Sequence, residues 1–336
     1  MPSTNTAMDC VARALKGKEK VLVVTHINPD GDAIGSAAAL AHIAGGLGAD
    51  TRLLLVTGLP DYLAWLPLPC PWVYRVEELA SWKPDLVAAV DCGDAERMGS
   101  ALSAFFTRGA VPASGWEHAA TLNIDHHLGN PCFAGTNWAD HTYSATGEMI
   151  GLLAESLNMP LTGDLAKAVY MALVSDTGNF TYSNTSPESM ALAARILRGG
   201  LDIAAFTADF ENNWTLERMR LWGQLMNEVS LHAGGTIICS LVPRHYLTDR
   251  GLKKSDLEGF ASSLRRIRGV KVVLFIREDA PGHSKISLRS MGDVNVQGVA
   301  ASQGGGGHIA AAGADVDMSP EKARTVFLSL LEPLVI

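Results

Sequence analysis

The chain has 336 residues, which at roughly 150 residues per domain is enough for about two domains. Hydrophobic residues make up 47% and charged residues 18%, which excludes a mostly disordered chain, and the net charge of −8 excludes a coat for long nucleic acid, because such binding runs on counterion release by excess Lys and Arg. No run reaches the roughly 18 apolar residues of a membrane span, Asp9 and Glu19 replace a secretory apolar block, and five cysteines form no CxxC pair, so a cytoplasmic, non-membrane protein is expected.

In chain order, Val21 to Thr25, Arg52 to Val56, Leu86 to Val90 and Thr121 to Ile124 are short Val- and Leu-rich runs that read as buried strands. They alternate with Ala-rich helical stretches, above all Ala33 to Gly45, for which Asp32 is the candidate N-cap and Gly45-Gly46 the stop. This alternation predicts a parallel sheet with helices on both faces. From Pro187 to about Val229 the pattern is helical without strands, with breaks at Gly199-Gly200 and Asn212-Asn213, and reads as a connector. Thr236 to Val242, Val270 to Ile276 and Lys285 to Arg289 then read as strands, with a helix near Leu252 to Arg268. The expected fold class is α/β: a doubly wound parallel-sheet domain over residues 1–195, a helical connector over 196–230 and a smaller C-terminal mixed α/β domain over 231–336.

Charge is distributed unevenly along this plan. Between Arg250 and Arg289, ten Lys or Arg residues stand against four Asp or Glu, a local net charge of +6 that leaves −14 for the rest of the chain. Singly, such residues are ordinary solvated faces. Together they suggest a small phosphate-binding region.

Chemistry concentrates where the expected strands end. Strand one runs into His26-Ile27-Asn28-Pro29-Asp30-Gly31-Asp32, strand three into Asp91-Cys92-Gly93-Asp94, and strand four into Asp125-His126-His127. A fourth cluster, Ser175-Asp176-Thr177-Gly178, follows a helical run. Taken singly, an Asp at such a position is usually a cap and a His is usually a satisfied neighbour. The coincidence at four ends outweighs that reading, because ligands bind in the crevice at the carboxyl ends of parallel strands. Buried carboxylates need neutralising, and two divalent cations would cancel the four charges of Asp30, Asp32, Asp91 and Asp176. Imidazoles in the shell favour a borderline ion, Mn2+ first, with Mg2+ or Co2+ as alternatives, and the lack of a Cys-rich set disfavours structural zinc. Asp94 and Asp125 stay open between cap and ligand, and Asp125 is read as accepting the ring N–H of a ligating histidine.

These residues resemble the DHH phosphoesterase superfamily, whose name comes from the triplet seen here as Asp125-His126-His127. His26-x-x-x-Asp30-x-Asp32, Asp91 within VDCGD, and Asp176 within VSDTG stand in the expected order. GGGGHIAAAG from Gly304 resembles the glycine-rich signature of the DHH-associated C-terminal domain, and Ser287-Leu288-Arg289-Ser290 resembles the arginine segment before it. The resemblance implies one metal held by His26, Asp30 and Asp91, and a second held by Asp32, Asp91, His126 and Asp176. Asp91 would bridge the two, and His127 would face the scissile phosphate. It also implies an active site in the cleft between two domains.

The C-terminal signature suggests an anion grip: Gly304, Gly305, Gly306 and Gly307 would let backbone N–H groups approach closely, Arg289 would bind phosphate bidentately, and His308 would join them or cap the turn. Within the superfamily the chain resembles the two-domain oligoribonuclease and nano-RNase group. The expected substrates are therefore dinucleotides, pGpG and other very short RNAs, or 3′-phosphoadenosine 5′-phosphate, with no long nucleic acid or membrane as partner. Alternatives are another DHH phosphohydrolase, acting on dinucleotides or single strands, and a non-catalytic nucleotide sensor. Whether the chain forms a homodimer stays open.

Overall fold

The structure, a computed structural model, describes residues 8–110, 116–211 and 214–335. It divides into two compact units, Met1–Asn213 and Trp214–Ile336, and the division falls inside the segment read as a connector. Asn212 and Asn213 lie outside the described residues.

The first unit is built on a six-stranded, all-parallel sheet of β1 (Lys20–Val24), β2 (Asp50–Leu54), β3 (Trp72–Val73), β4 (Leu86–Val90), β5 (Ala120–Asp125) and β6 (Thr136–Ala139). The spatial order is β3-β2-β1-β4-β5-β6, so strand order reverses between β1 and β4. Burial on both faces explains the unbroken apolar runs of the central strands. Val21 and Val23 pack with α1 (Met8–Leu15), α2 (Gly31–Gly46), α4 (Thr146–Ser156) and α5 (Gly163–Asp176), while Leu22 and Val24 join the opposite core with Leu102 and Phe105 of α3 (Ser100–Arg108). The helices α6 (Pro187–Arg198) and α7 (Ile203–Glu211) complete the unit.

Small residues bring three of these helices into close contact. A Cβ at Gly35 of α2 would lie 2.5 Å from the carbonyl oxygen of Ala168 in α5, and one at Gly147 of α4 would lie 2.1 Å from Cβ of Ala172. That approach sets the start of α2, the start of α4 and the end of α5 beside one another.

Two local expectations change. The N-cap of α2 is Asp30, not Asp32: Asp30 has extended backbone and its Oδ1 accepts the N–H of Ala33 at 3.1 Å, which leaves Asp32 buried in the first turn. The helix expected near Leu252 to Arg268 is shorter, because Gly259 (φ +82°) separates a 3-10 turn at Lys254–Leu257 from α10 at Phe260–Leu264.

The second unit starts with α8 (Leu216–Glu228) and holds a mixed sheet of β7 (Ser230–His232), β8 (Ile237–Val242), β9 (Val272–Ala280), β10 (His283–Ser290), β11 (Gly306–His308) and β12 (Ala311–Val316). Its order is β11-β12-β10-β9-β8-β7, with β8 and β9 parallel and every other pair antiparallel. The short helix α9 (His245–Thr248) and α10 lie in the crossover that the parallel pair requires. Leu274, Ile286 and Leu288 pack against Val299 of α11 (Gln297–Ser302) and Phe327 of α12 (Pro320–Leu331), whereas Val273 and Phe275 face Leu221 of α8 and Phe260 of α10. Among the described residues, no helix is long and apolar enough to cross a membrane.

Candidate metal centre

The reversal point of the first sheet places β1 beside β4, and in doubly wound sheets ligands bind outside the carboxyl ends of the strands at that point. The loop after β1 carries His26 and Asp30. Asp91 directly follows β4, Asp125 ends β5 with His126 and His127 after it, and Asp176 ends α5. His26, Asp30 and Asp91 each offer one donor atom within 4.8 Å of the others, and so do Asp32, His126 and Asp176. The structure thus brings together all six residues of the two expected ligand sets.

Asp91 lies at the centre. It takes left-handed backbone (φ +57°), a conformation that costs a non-glycine residue about 1–2 kcal/mol. Its N–H still donates to the carbonyl of Ile124 at 3.0 Å, and Thr146 Oγ1 donates to its Oδ1 at 3.1 Å. His26 Nε2 stands 3.5 Å from Oδ2 of Asp91 and His126 Nε2 stands 3.8 Å from Oδ1. His126 Nε2 is also 3.2 Å from Asp176 Oδ2 and 3.7 Å from Asp32 Oδ2.

The carboxylates fall into two classes. Asp125 is buried but satisfied: Asn130 donates to it at 2.6 Å, and the backbone N–H and Nδ1 of His127 approach at 3.1 and 2.7 Å. Burial alone would raise its pKa, yet the bonds from His127 and Asn130 hold the carboxyl below its ordinary value. Asp32, Asp91 and Asp176 go the other way. Burial, reinforced by neighbouring carboxylates, raises all three, Asp91 strongly and Asp176 to about 7. The backbone N–H groups of Thr146 and Gly147, at the start of α4, offset only part of this at Asp32. Burial would lower His126, but Asp32, Asp176 and Asp91 outweigh it and push the imidazole up to about 9. The positive charge that His126 contributes does not offset the burial of the second class.

The imidazoles fit a metal as well. His26 Nδ1 lies 2.9 Å from its neighbour's carbonyl, which fixes the proton there and leaves Nε2 as an acceptor. That Nε2 is buried and has no hydrogen-bond partner. His126 is oriented in the same manner by the carbonyl of Tyr143 at 3.2 Å. A buried lone pair aimed at under-neutralised carboxylates is the donor chemistry of a divalent cation site with mixed N and O ligands.

His127 differs. It too lies near Asp91 and His126, but Nδ1 is held by Asp125 and Nε2 is 3.1 Å from Nη1 of Arg97. Asp125 thus supports His127 and not His126, whose Nδ1 turns to the carbonyl of Tyr143 instead. Sequence reasoning also missed Thr146, Asn130, Arg97 and Gly93, where a Cβ would come 2.9 Å from Cβ of His127. Only Gly93, inside the DCGD run, carried any local signal.

In the second unit, Arg289 is half-buried on β10, with Nη1 donating to the Leu288 carbonyl at 2.9 Å. Arg289 pairs in register with Ala311 of β12, and Ala311 with His308 of β11, so the sheet places these positions in one row. The side chain of His308 lies outside the described residues. Of the four glycines expected to bring backbone N–H groups close to an anion, the first two have their N–H groups taken within the fold. Gly304 and Gly305 donate to Ala301 and Ala300 at the end of α11, and Gly306–His308 forms a strand against β12. Two of the glycines are required sterically: a Cβ at Gly305 would lie 2.1 Å from the Gly313 carbonyl oxygen, and one at Gly307 would lie 2.5 Å from that of Ala311.

Known proteins resemble this chain over most of its length. The N-terminal domain of the DHH family matches residues 20–173 and the DHHA1 domain matches residues 234–334. The chain is 32% identical over 321 residues to the bifunctional oligoribonuclease and PAP phosphatase NrnA of Thermus thermophilus, covering 94% of this chain and 91% of that one. It is 24% identical over 311 residues to the protein of the same name from Bacillus subtilis, covering 90% and 91%. The crystal structure of an exopolyphosphatase-related protein from Bacteroides fragilis superposes with a TM-score of 0.88 at 25% identity and covers 99% of both chains. RecJ of Thermus thermophilus, crystallised with Mn2+, shares the fold at a TM-score of 0.51 and 16% identity, covering 99% of this chain and 55% of that one.

Proposed function

The chain belongs to the DHH family, and on that premise we propose that it is a metal-dependent phosphohydrolase that converts very short RNA, dinucleotides and pGpG included, to mononucleotides and removes the 3′-phosphate of 3′-phosphoadenosine 5′-phosphate. The observation that carries this reading is the buried Nε2 of His26, which has no hydrogen-bond partner among the described residues and faces carboxyls that burial still holds above their ordinary values.

We assign His26, Asp30 and Asp91 to one divalent ion and Asp32, Asp91, His126 and Asp176 to the other, with Mn2+ as the preferred metal. When bound, such ions supply Lewis-acid stabilisation of the charge that develops on the phosphoryl oxygens. The chain's own residues supply orientation. The amides at the start of α4 fix Asp32, Thr146 fixes Asp91, and the carbonyls of Ile27 and Tyr143 hold the two ligating imidazoles with Nε2 outward. His127, braced by Asp125, is assigned a place next to the reacting phosphate and its leaving oxygen.

Arg289, Gly306, Gly307 and His308 are assigned to the neighbouring nucleotide or terminal phosphate, with Gly304 and Gly305 shaping the turn before them. A chain of net charge −8 whose excess Lys and Arg are confined to one window grips few phosphates, which supports short substrates. The test is kcat/KM with Mn2+ across RNAs of two to about twenty nucleotides, together with 3′-phosphoadenosine 5′-phosphate, in low and moderate salt. Dinucleotides should be cleaved fastest with a shallow dependence of KM on salt. Faster cleavage at the long end would reassign the protein to processive single-strand degradation.

A further inference from the structure

Beside the metal cluster lies a cation that the ligand assignment does not use. Arg97 is carried on the 3-10 turn Ala95–Met98, shortly after Asp91. The turn is fixed from two sides: Asp94 Oδ1 accepts the N–H of Glu96 at 2.8 Å, and the carbonyl of Arg97 accepts the N–H of Ile27 at 2.7 Å, next to His26. The half-buried side chain then places Nη1 3.1 Å from His127 Nε2. A guanidinium only donates, so Nε2 of His127 accepts this bond and its Nδ1–H goes to Asp125.

Arginine at the edge of an acidic cluster would ordinarily take a carboxylate. Among the described residues Arg97 forms no ion pair with one, although Asp91 and Asp125 both reach His127. It uses one of its five donors on the ring nitrogen of His127. A permanently charged planar fork held in this way, by a turn locked to two ligand-bearing segments, matches an anion that the chain itself does not supply.

We propose that Arg97 binds the phosphoryl group of the substrate, donating to its non-bridging oxygens next to His127. The assignment rests on the phosphohydrolase reading above and adds a protein-borne charge to that of the metals. Its chemistry is that of a fork on a phosphate monoester or diester, so a point charge at the same position should replace it only in part.

The test uses the full chain with Arg97→Ala and Arg97→Lys, both loaded with Mn2+. Three quantities are measured: kcat and KM for a dinucleotide, the equilibrium affinity for AMP, and the affinity for Mn2+. Arg97→Ala should lower kcat/KM by about 10²–10³-fold, as loss of a donor to developing oxyanion charge does, and weaken AMP binding about tenfold or more. Arg97→Lys should recover most of the AMP affinity and little of kcat, and Mn2+ affinity should stay within about twofold of wild type in both. Wild-type AMP affinity and kcat/KM in Arg97→Ala would overturn the assignment. So would losses that run in parallel with Mn2+ affinity, because they would mean that Arg97 only props the cluster. If wild-type protein binds AMP through Arg97 yet cleaves no short RNA, the substrate reading fails and the Arg97 assignment stands; cleavage that ignores Arg97 has the opposite meaning.

Discussion

At the carboxyl ends of the first sheet, Asp32, Asp91 and Asp125 are buried beside the imidazoles of His26, His126 and His127, whereas on the second sheet Lys285, Ser287 and Arg289 line one half-buried face of β10. The first arrangement is costly without a cation: Asp32, Asp91 and Asp176 are pushed upward by burial and by neighbouring carboxylates, and His26 Nε2 has no hydrogen-bond partner among the described residues. The second is comfortable as it stands. Lys285 bonds Asp315, and the glycines of the edge strand pack against backbone. The difference separates reaction chemistry, held by elements that override local stability, from recognition, held by elements that their own packing stabilises.

The contrast breaks most sharply at Asp91. Its carboxyl is pushed up by burial and by Asp32 and Asp30, so its ionised form costs the folded state stability at neutral pH. Asp91→Asn should therefore melt at a higher temperature than wild type when both are metal-free, lose the metal-induced rise in Tm, and hydrolyse dinucleotides at least about 10³-fold more slowly. A metal-free variant that melts lower than wild type would mean that the cluster is satisfied without metal.

Arg289→Ala probes the other side. Losing a charge-assisted contact worth roughly 1.5–3 kcal/mol should raise KM for dinucleotides about 10–100-fold and leave Mn2+ binding unchanged. Steady-state kinetics beside a metal titration reads both.

A finer comparison lies inside the glycine run. A Cβ at Gly307 meets the Ala311 carbonyl oxygen and the backbone there is left-handed (φ +133°), whereas a Cβ at Gly306 meets nothing within 4 Å. Gly307→Ala should displace the edge strand and raise KM by about 30-fold, near 2 kcal/mol, while Gly306→Ala should stay within about threefold of wild type. Equal damage from both would mean that both positions approach the anion closely, whatever their packing.

The smallest effect is expected at Thr146, whose hydroxyl orients Asp91 at 3.1 Å. Thr146→Val keeps the shape and removes the donor, so Mn2+ affinity should fall by roughly tenfold at most, with KM for substrate little changed. Calorimetric titration with Mn2+ would detect it.

Much of this organisation is written locally in the chain. β1, β4 and β5 are legible because central strands of a parallel sheet are covered on both faces and read as continuous apolar runs. β3 is two residues long and β6 reads Thr-Asn-Trp-Ala, so neither carries that pattern. The ligand residues were legible because they cluster at strand ends. Their supports were not: Thr146 lies 55 residues from Asp91, and Asn130 and Arg97 reach their partners through loops whose path no periodicity encodes. Asp30 and Asp32 show a different limit. Two carboxylates that flank the first residue of a helix can each cap it, and only backbone geometry decides between them.

The central claim is that the buried carboxylates and imidazoles of the first unit exist to hold two metal ions that drive phosphate ester hydrolysis. The most direct measurement is a titration of chelator-stripped protein with Mn2+ in which bound metal and dinucleotide hydrolysis are followed in the same samples. The account predicts no hydrolysis without metal, saturation at two Mn2+ per chain, and activity that rises with occupancy of the second ion. Hydrolysis by the metal-free chain, or saturation of binding at fewer than two Mn2+ per chain, would contradict it.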